Sequence, residues 1–207
     1  MLHSQPEYYH TLLQSKEYPN PSFPQIKLDV TRTFTEQKCI NEAQWATSLG
    51  NILTAYTHRN PTLGYCQGLN FIVGTLLQQI GNEEKVFWML AMLIETILPI
   101  DYYCSITGVM TDFKVFCELT KEIHPELYTH MCKNKAEASS FAFQWFICIF
   151  TISLSKAAIY RIWDILFLKG NKTVFIVGLV ILELISKKIL QCAEPSTILI
   201  SANIFND

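Results

Sequence analysis

The chain has 207 residues, a typical length for one domain; half of them are apolar, 16% are charged, and the formal net charge is -2. This composition excludes intrinsic disorder over most of the length, because disorder requires low hydrophobicity and high charge. The 16 basic and 18 acidic side chains nearly balance, which predicts no surface for nucleic acid or for an anionic membrane.

The apolar runs are short for a membrane protein, although the mean hydropathy is high at +0.20. The longest runs are Val86–Ile94, Phe141–Leu154 and Val174–Ile185. Each covers about 9–14 residues, whereas a membrane-spanning helix needs about 20. We therefore expect no direct membrane insertion, and a small multi-helix membrane protein is the less favoured alternative.

The spacing of cysteines and histidines gives no sign of a disulfide framework or a metal site. The seven cysteines are scattered, and no two of them form a C-x-x-C pair. His124 and His130 lie on either side of Pro125 at a spacing that suits no usual pair of metal ligands. No basic region followed by an apolar run opens the sequence, so no secretory signal is predicted. We expect a cytoplasmic protein with reduced thiols and no bound metal.

The first part of the chain is rich in proline. Residues 1–25 are predicted to be an N-terminal arm, because Pro19, Pro21 and Pro24 interrupt any regular helix. A short helical turn is predicted from Pro24, and the threonines of T-R-T-F-T are expected to end it. This places Arg32 at or just beyond a helix end. Residues 26–207 are predicted to form one domain.

Apolar residues at helical spacing mark the next three helices. The first is predicted after a capping box of Asn41 and Gln44 and ends before Asn60. The second covers residues 69–80, and Gly81 terminates it. Asn82 is predicted to cap the third, which ends before Pro99.

The second half of the chain predicts further helices. One is marked by apolar residues over 109–123, and the stretch 138–154, apolar nearly all round, predicts a central helix. Two more are predicted over about 159–169 and 173–190. The pattern predicts an all-α fold, an orthogonal multi-helix array with short connections. All four tryptophans lie in apolar patterns and are expected in the core.

Two short segments are more polar than a purely structural chain requires. Residues 26–33 read I-K-L-D-V-T-R-T, which places Asp29 and Arg32 on one helix face. Residues 64–70 read G-Y-C-Q-G-L-N, with Gln67 between two glycines that permit unusual backbone torsions. Taken singly, the first fits a surface ion pair and the second a turn glutamine.

Together, and in this order, the two segments resemble the TBC domain of Rab GTPase-activating proteins. The segments F-A-F-Q-W-F at 141–146 and R-I-W-D-I-L-F-L-K-G at 161–170 are similar to later tryptophan-bearing segments of that family. The resemblance covers about residues 20–190 and implies the TBC/Rab-GAP type of helical fold. It also implies a Rab-family small GTPase as the partner and a role in vesicle trafficking, at endomembranes that the protein reaches through that GTPase.

The resemblance further implies a dual-finger mechanism. An arginine inserted in trans neutralises the transition state of GTP hydrolysis and is worth about 10³ to 10⁵ in rate for the class, while a glutamine orients water. By this resemblance Arg32 is the arginine finger and Gln67 the glutamine finger. Supporting or GTPase-binding roles fall to a further set: Asp29, Thr33, Tyr65, Gly68 and Asn70. The chain then needs no cofactor, since the GTPase holds GTP and Mg²⁺, and it is an activator without a substrate of its own.

The sequence departs from the family pattern at both ends. The R-x-x-x-W segment with which the family usually opens is absent, and the chain stops soon after the last apolar helix. We therefore expect a domain that is incomplete on the N-terminal side and shortened at the C-terminal end. Two alternatives stay open: a GTPase-binding module that does not accelerate hydrolysis, and an enzyme with Cys66 as a nucleophile activated by His58.

Overall fold

A computed structural model describes residues 7–15, 21–36, 42–103, 106–136, 141–192 and 194, and within these ranges it is helical with no strand. The fold is the orthogonal helical array that the sequence predicts. The helices are α1 (Tyr8–Gln14), α2 (Phe23–Glu36), α3 (Glu42–Arg59), α4 (Leu69–Ile80), α5 (Glu83–Met92), α6 (Ile106–Ile123), α7 (Pro125–Lys133), α8 (Phe143–Ile147), α9 (Lys156–Lys169) and α10 (Lys172–Leu190). A π-helical turn, Leu93–Ile97, continues α5. The chain divides into two compact units between Thr96 and Ile97.

Helix α3 is the centre of the first unit, where α1, α2, α4 and α5 pack against it. Its predicted apolar face is buried through Leu49, Ile52, Leu53 and Tyr56. The predicted ends of α4 and α5 are confirmed. Gly81 closes α4 in the left-handed conformation, and the Asn82 side chain accepts a hydrogen bond from the Lys85 amide at the start of α5. The predicted capping residue Asn41 lies outside the described residues.

A polar cluster around Glu83 ties three helices of the first unit together. Tyr9 of α1 and Ser48 of α3 each donate a 2.6 Å hydrogen bond to its carboxylate, and Asn51 donates a third at 3.2 Å. Burial alone would raise the pKa of Glu83, but these hydrogen bonds outweigh it and lower the pKa below its usual value. The carboxylate is therefore ionised at neutral pH and stabilises the junction of α1, α3 and α5.

Two predictions for the N-terminal part differ from the structure. The region expected to be an extended arm contains α1, which buries Tyr9 against the Phe87 ring. Helix α2 does not end at the threonines but continues to Glu36, so Arg32 lies inside a helix. The reason is that the hydroxyls of Thr31 and Thr33 donate to carbonyls three and four residues earlier, which accommodates them within the helix.

In the second unit the predicted central helix over 138–154 is wrong. Over its described part, 141–154, only α8 is regular, and turns follow it, with positive φ values of 45° at Ile149 and 66° at Phe150. Side chains from other parts of the second unit donate hydrogen bonds to backbone carbonyls of this stretch. Tyr102 donates to the carbonyl of Phe146, Tyr103 to that of Ile147, and the Trp163 indole to that of Ile149. These hydrogen bonds satisfy backbone groups that a longer helix would pair internally.

The remaining helices of the second unit follow the sequence more closely. Helices α6, α9 and α10 form as predicted, whereas α7 was missed, because Pro125 begins a new helix at its first position as well as ending α6. Trp145 and Trp163 are buried as expected, while Trp45 and Trp88 of the first unit are only half-buried. In the part of the chain that the structure describes, no helix is long and apolar enough to cross a membrane.

Candidate functional site

Helix α2 buries two polar side chains and exposes the side chain of Arg32. Asp29 and Thr33, one turn apart, are buried beside the apolar residues Ile26 and Val30. The Arg32 side chain is 54% exposed, and its Nη1 lies 3.4 Å from Oδ1 of Asp29, whose side chain is 2% exposed. The buried carboxylate therefore faces one terminal nitrogen of a guanidinium that remains accessible.

The segment 64–70 turns sharply before α4. Gly64 and Gly68 have φ values of 62° and 109°, a region that residues with a Cβ rarely adopt. The Gly68 amide donates to Oδ1 of the buried Asn70, at 3.1 Å, so the start of α4 is fixed by its own side chain. Gln67 precedes this bend and is exposed. We call residues 64–68 the glutamine segment.

Hydrogen bonds join α2 to the glutamine segment and to the start of α4. The Tyr65 hydroxyl lies 2.8 Å from Asp29 Oδ2 and 3.2 Å from Asn70 Oδ1. A phenol has a single proton, and the shorter contact to the charged acceptor is the stronger bond. Asn70 Nδ2 donates to the Thr33 hydroxyl at 2.8 Å, and Thr33 donates to the Asp29 carbonyl at 2.7 Å. The buried residues Asp29, Thr33 and Asn70 and the half-buried Tyr65 thus form one network between the two segments.

The structure adds one residue that the motifs did not single out. Gln25, one turn before Asp29 on α2, donates from Nε2 to Asp29 Oδ2 at 3.0 Å. The spacing of four residues between a glutamine and an aspartate is the sequence signal that could have found it. The sequence-predicted residues otherwise occupy one region of the first unit: Asp29, Arg32, Thr33, Tyr65, Gln67, Gly68 and Asn70.

The alternative of a thiol nucleophile has no support in the geometry. Burial raises the pKa of the Cys66 thiol, so the reactive thiolate is disfavoured at neutral pH. The Cys66 thiol faces the Gln67 carbonyl at 3.5 Å, and Nδ1 of His58 is engaged with the Leu12 carbonyl at 2.8 Å. An activated cysteine requires a neighbouring base or a lowered pKa instead.

The site offers charge and hydrogen bonding to a partner, and this limits its chemistry. An exposed guanidinium supplies five donors in a planar fork that matches phosphate oxygens, and an exposed amide can donate and accept at once. Over the described residues there is no group of three or more His, Cys, Asp and Glu side chains that could hold a metal ion. The exposed side chains of Arg32 and Gln67 can therefore contact anionic or polar groups of another molecule.

Solved structures share this fold. The crystal structure of the Chlamydomonas flagellar RabGAP TBC domain is similar over 95% of this chain and 66% of its own, with a TM-score of 0.86 and 29% identity. The Ypt/Rab-GAP domain of Gyp1p is similar over 96% of this chain and 72% of its own, with a TM-score of 0.79 and 24% identity, and supports the fold alone. The fold thus defines the class: helical domains of Rab GTPase-activating proteins.

The chain belongs to the Rab-GTPase-TBC domain family, whose model matches residues 2–190. It is 35% identical over 193 residues to TBC1 domain family member 2A of Homo sapiens, covering 92% of this chain and 21% of that protein. It is 36% identical over 198 residues to Growth hormone-regulated TBC protein 1 of Homo sapiens, covering 91% of this chain and 57% of that protein. The chain therefore spans about a fifth of the first relative and just over half of the second.

Proposed function

We propose that this chain accelerates GTP hydrolysis by a Rab-family small GTPase, to which it supplies Arg32 and Gln67 in trans. Arg32 neutralises the charge that develops on the phosphates, and Gln67 orients the attacking water. GTP and Mg²⁺ belong to the GTPase, so the chain needs no cofactor of its own. The chain reaches endomembranes by binding a GTPase that is itself attached to the membrane.

One observation carries this proposal: the hydrogen bond between the Tyr65 hydroxyl and the Asp29 carboxylate. Asp29 also faces Arg32, and Tyr65 lies two residues before Gln67, so a single bond connects the supports of both proposed fingers. Catalysis by positioning requires such rigidity, because small displacements of a catalytic group cost large factors in rate. Membership of a Rab-GAP family supports GTPase activation as the purpose of the arrangement.

The other supporting residues shape the surface that meets the GTPase. Asn70 and Gly68 fix the bend from which Gln67 projects, and Thr33 anchors Asn70 to α2. Gly68 is needed for its φ of 109°, which a side chain would disfavour. We expect these residues to act by holding the fingers in place.

The test is single-turnover GTP hydrolysis by a panel of Rab GTPases, with and without the protein. We expect acceleration of one or a few GTPases by the wild type and a loss of about 10³-fold with Arg32→Ala, the scale of an arginine finger. Gln67→Ala is expected to remove most of the stimulation as well. Both side chains are exposed, so circular dichroism should show unchanged helicity.

Matched controls come from the second unit, which contains an exposed arginine and an exposed glutamine. Arg161→Ala and Gln144→Ala remove the same side-chain types outside the proposed site and should leave stimulation intact. Full stimulation by Arg32→Ala or Gln67→Ala would refute that finger assignment. Binding of a GTPase by the folded wild type without any acceleration would instead identify a non-catalytic module.

A further inference from the structure

The two oxygens of the Asp29 carboxylate have different surroundings. Oδ2 accepts two hydrogen bonds, from Gln25 at 3.0 Å and from Tyr65 at 2.8 Å. Oδ1 is buried and lacks a hydrogen bond within the described residues, and Arg32 Nη1 faces it at 3.4 Å, beyond good hydrogen-bonding distance. The carboxylate is thus anchored through one oxygen and directed towards the arginine through the other.

The difference between the two oxygens of Asp29 becomes important when the Arg32 side chain extends to a phosphate held by another molecule. The guanidinium then shifts its charge away from Oδ1, and a buried carboxylate is left with only its Oδ2 donors. One donor, Tyr65, belongs to the glutamine segment, and the other, Gln25, belongs to α2 itself. Of the two donors to the Asp29 carboxylate, Gln25 is the one that lies on the same helix as Arg32.

We propose that Gln25 is a positioning residue for GTPase activation, an inference that rests on the function proposed above. Its side-chain amide fixes the rotation of the Asp29 carboxylate, so that Oδ2 stays on the Tyr65 hydroxyl and Oδ1 stays directed at Arg32. In this proposal Gln25 acts through Asp29 and not by contact with the nucleotide or the attacking water.

The effect of Gln25 reaches both fingers because Asp29 is shared. Without this donor the carboxylate is free to rotate towards Arg32, which weakens its bond to Tyr65. Tyr65 is also part of the glutamine segment, three residues before Gly68, whose amide donates to Asn70 Oδ1 at the bend. Loosening Tyr65 therefore loosens the bend that presents Gln67.

Three substitutions at Gln25 separate hydrogen bonding from packing. Gln25→Met keeps the length of the side chain without a donor, and we expect the maximal stimulated rate to fall about tenfold, the scale of a hydrogen bond to a charged group. Gln25→Glu places a second carboxylate against Asp29 and should lower the rate further. Gln25→Lys keeps a donor, and we expect its maximal stimulated rate to stay within about threefold of the wild-type rate.

The GTPase concentration at half-saturation should change by less than about twofold in all three variants, because only transition-state contacts are affected.

A second readout requires no GTPase. Hydrogen exchange of the Gly68 amide should accelerate in Gln25→Met and Gln25→Glu and stay slow in Gln25→Lys. Gln79→Met on α4, also an exposed glutamine, is the matched control and should change neither readout. A purely structural role for Gln25 would not be rescued by lysine.

The outcomes separate this inference from the proposed function. A wild type that stimulates GTP hydrolysis, with a Gln25→Met variant that stimulates equally, overturns the role of Gln25 and leaves the function standing. A folded wild type that stimulates no GTPase overturns the function and, with it, the positioning role. Equal loss of stimulation in the Met, Glu and Lys variants also overturns the inference, because the donor would then be irrelevant.

Discussion

Arg32 combines a buried support with an accessible charge. A half-exposed ion pair contributes at most about 1 kcal/mol, so the contact with Asp29 is weak enough to be exchanged for a stronger one. A bidentate, charge-assisted contact between a guanidinium and a phosphate is roughly twice as strong as a neutral hydrogen bond. In the proposed mechanism Arg32 therefore exchanges its contact with Asp29 for one with a phosphate that the GTPase holds.

Cys66 provides a prediction at the same scale, since it lies directly before Gln67. Burial raises the pKa of its thiol, so the thiolate fraction at neutral pH is smaller than for an unperturbed cysteine. We expect iodoacetamide to modify half-buried Cys66 more slowly than exposed Cys132 at pH 7. The rate at Cys66 should rise as the pH increases, because deprotonation then becomes favourable. Mass spectrometry of peptides from a pH series measures both rates.

The opposite result would revive the enzymatic alternative. If Cys66 were the faster thiol at neutral pH, it would carry an activated thiolate, and the nucleophile hypothesis would regain support. Cys66→Ser, which removes the thiol, is expected to leave GTPase stimulation unchanged.

Between elements, polar clusters specify which helices meet in the first unit. The network of Asp29, Thr33, Tyr65 and Asn70 links α2 to the start of α4, and Glu83 links α1, α3 and α5. Buried hydrogen bonds of this kind hold the helices in one arrangement, because a donor or acceptor that lost its partner would be costly to bury. The network at α2 is the one that supports the proposed fingers.

In the second unit, close approach of two helices depends on a missing side chain. A Cβ added to Gly178 of α10 would lie 2.7 Å from Cε2 of Phe116 on α6, whose ring is fully buried. We expect Gly178→Ala to lower the free energy of unfolding by about 1–3 kcal/mol, because the ring cannot move without displacing its neighbours. Denaturant unfolding of the variant and the wild type measures the difference.

Gly50 is the matched control for this prediction. It also lies within a helix, α3, but an added Cβ meets nothing within 4 Å. Gly50→Ala should therefore stabilise the protein by about 0.5–1 kcal/mol through helix propensity. A Gly178→Ala variant as stable as Gly50→Ala would show that α6 and α10 are not packed as tightly as described.

For the molecule as a whole, periodicity predicted the helices that have one apolar face. Helices α3, α4, α9 and α10 follow their patterns because a single buried stripe repeats about every 3.6 residues. The stretch 138–154 has no polar face, and an all-apolar run does not reveal whether the backbone is regular. Its turns depend on distant donors such as Tyr102 and Trp163, which no local pattern reveals.

The sequence singled out the residues of the candidate site, whose roles stay predictions, but it did not predict how they contact one another. The order of the two motifs identified the seven residues that the structure brings to one region of the first unit. The hydrogen bond from Tyr65 to Asp29 spans 36 positions and arises only when α2 packs against α4. Gln25 was overlooked because it lies one residue before the motif that begins at Ile26, although its spacing from Asp29 was visible.

The proposed function makes a final prediction about the whole molecule. Residues that act on the transition state should bind it more tightly than the ground state. We expect the protein to bind a GTPase loaded with GDP and aluminium fluoride, which mimics the transferring phosphate, at least about 100-fold more tightly than the GDP form. Arg32→Ala with Gln67→Ala should abolish this preference, because both side chains act at the phosphate. Equal affinity of the wild type for both forms would instead describe a module that docks on a GTPase without assisting hydrolysis, and isothermal titration calorimetry decides between the two.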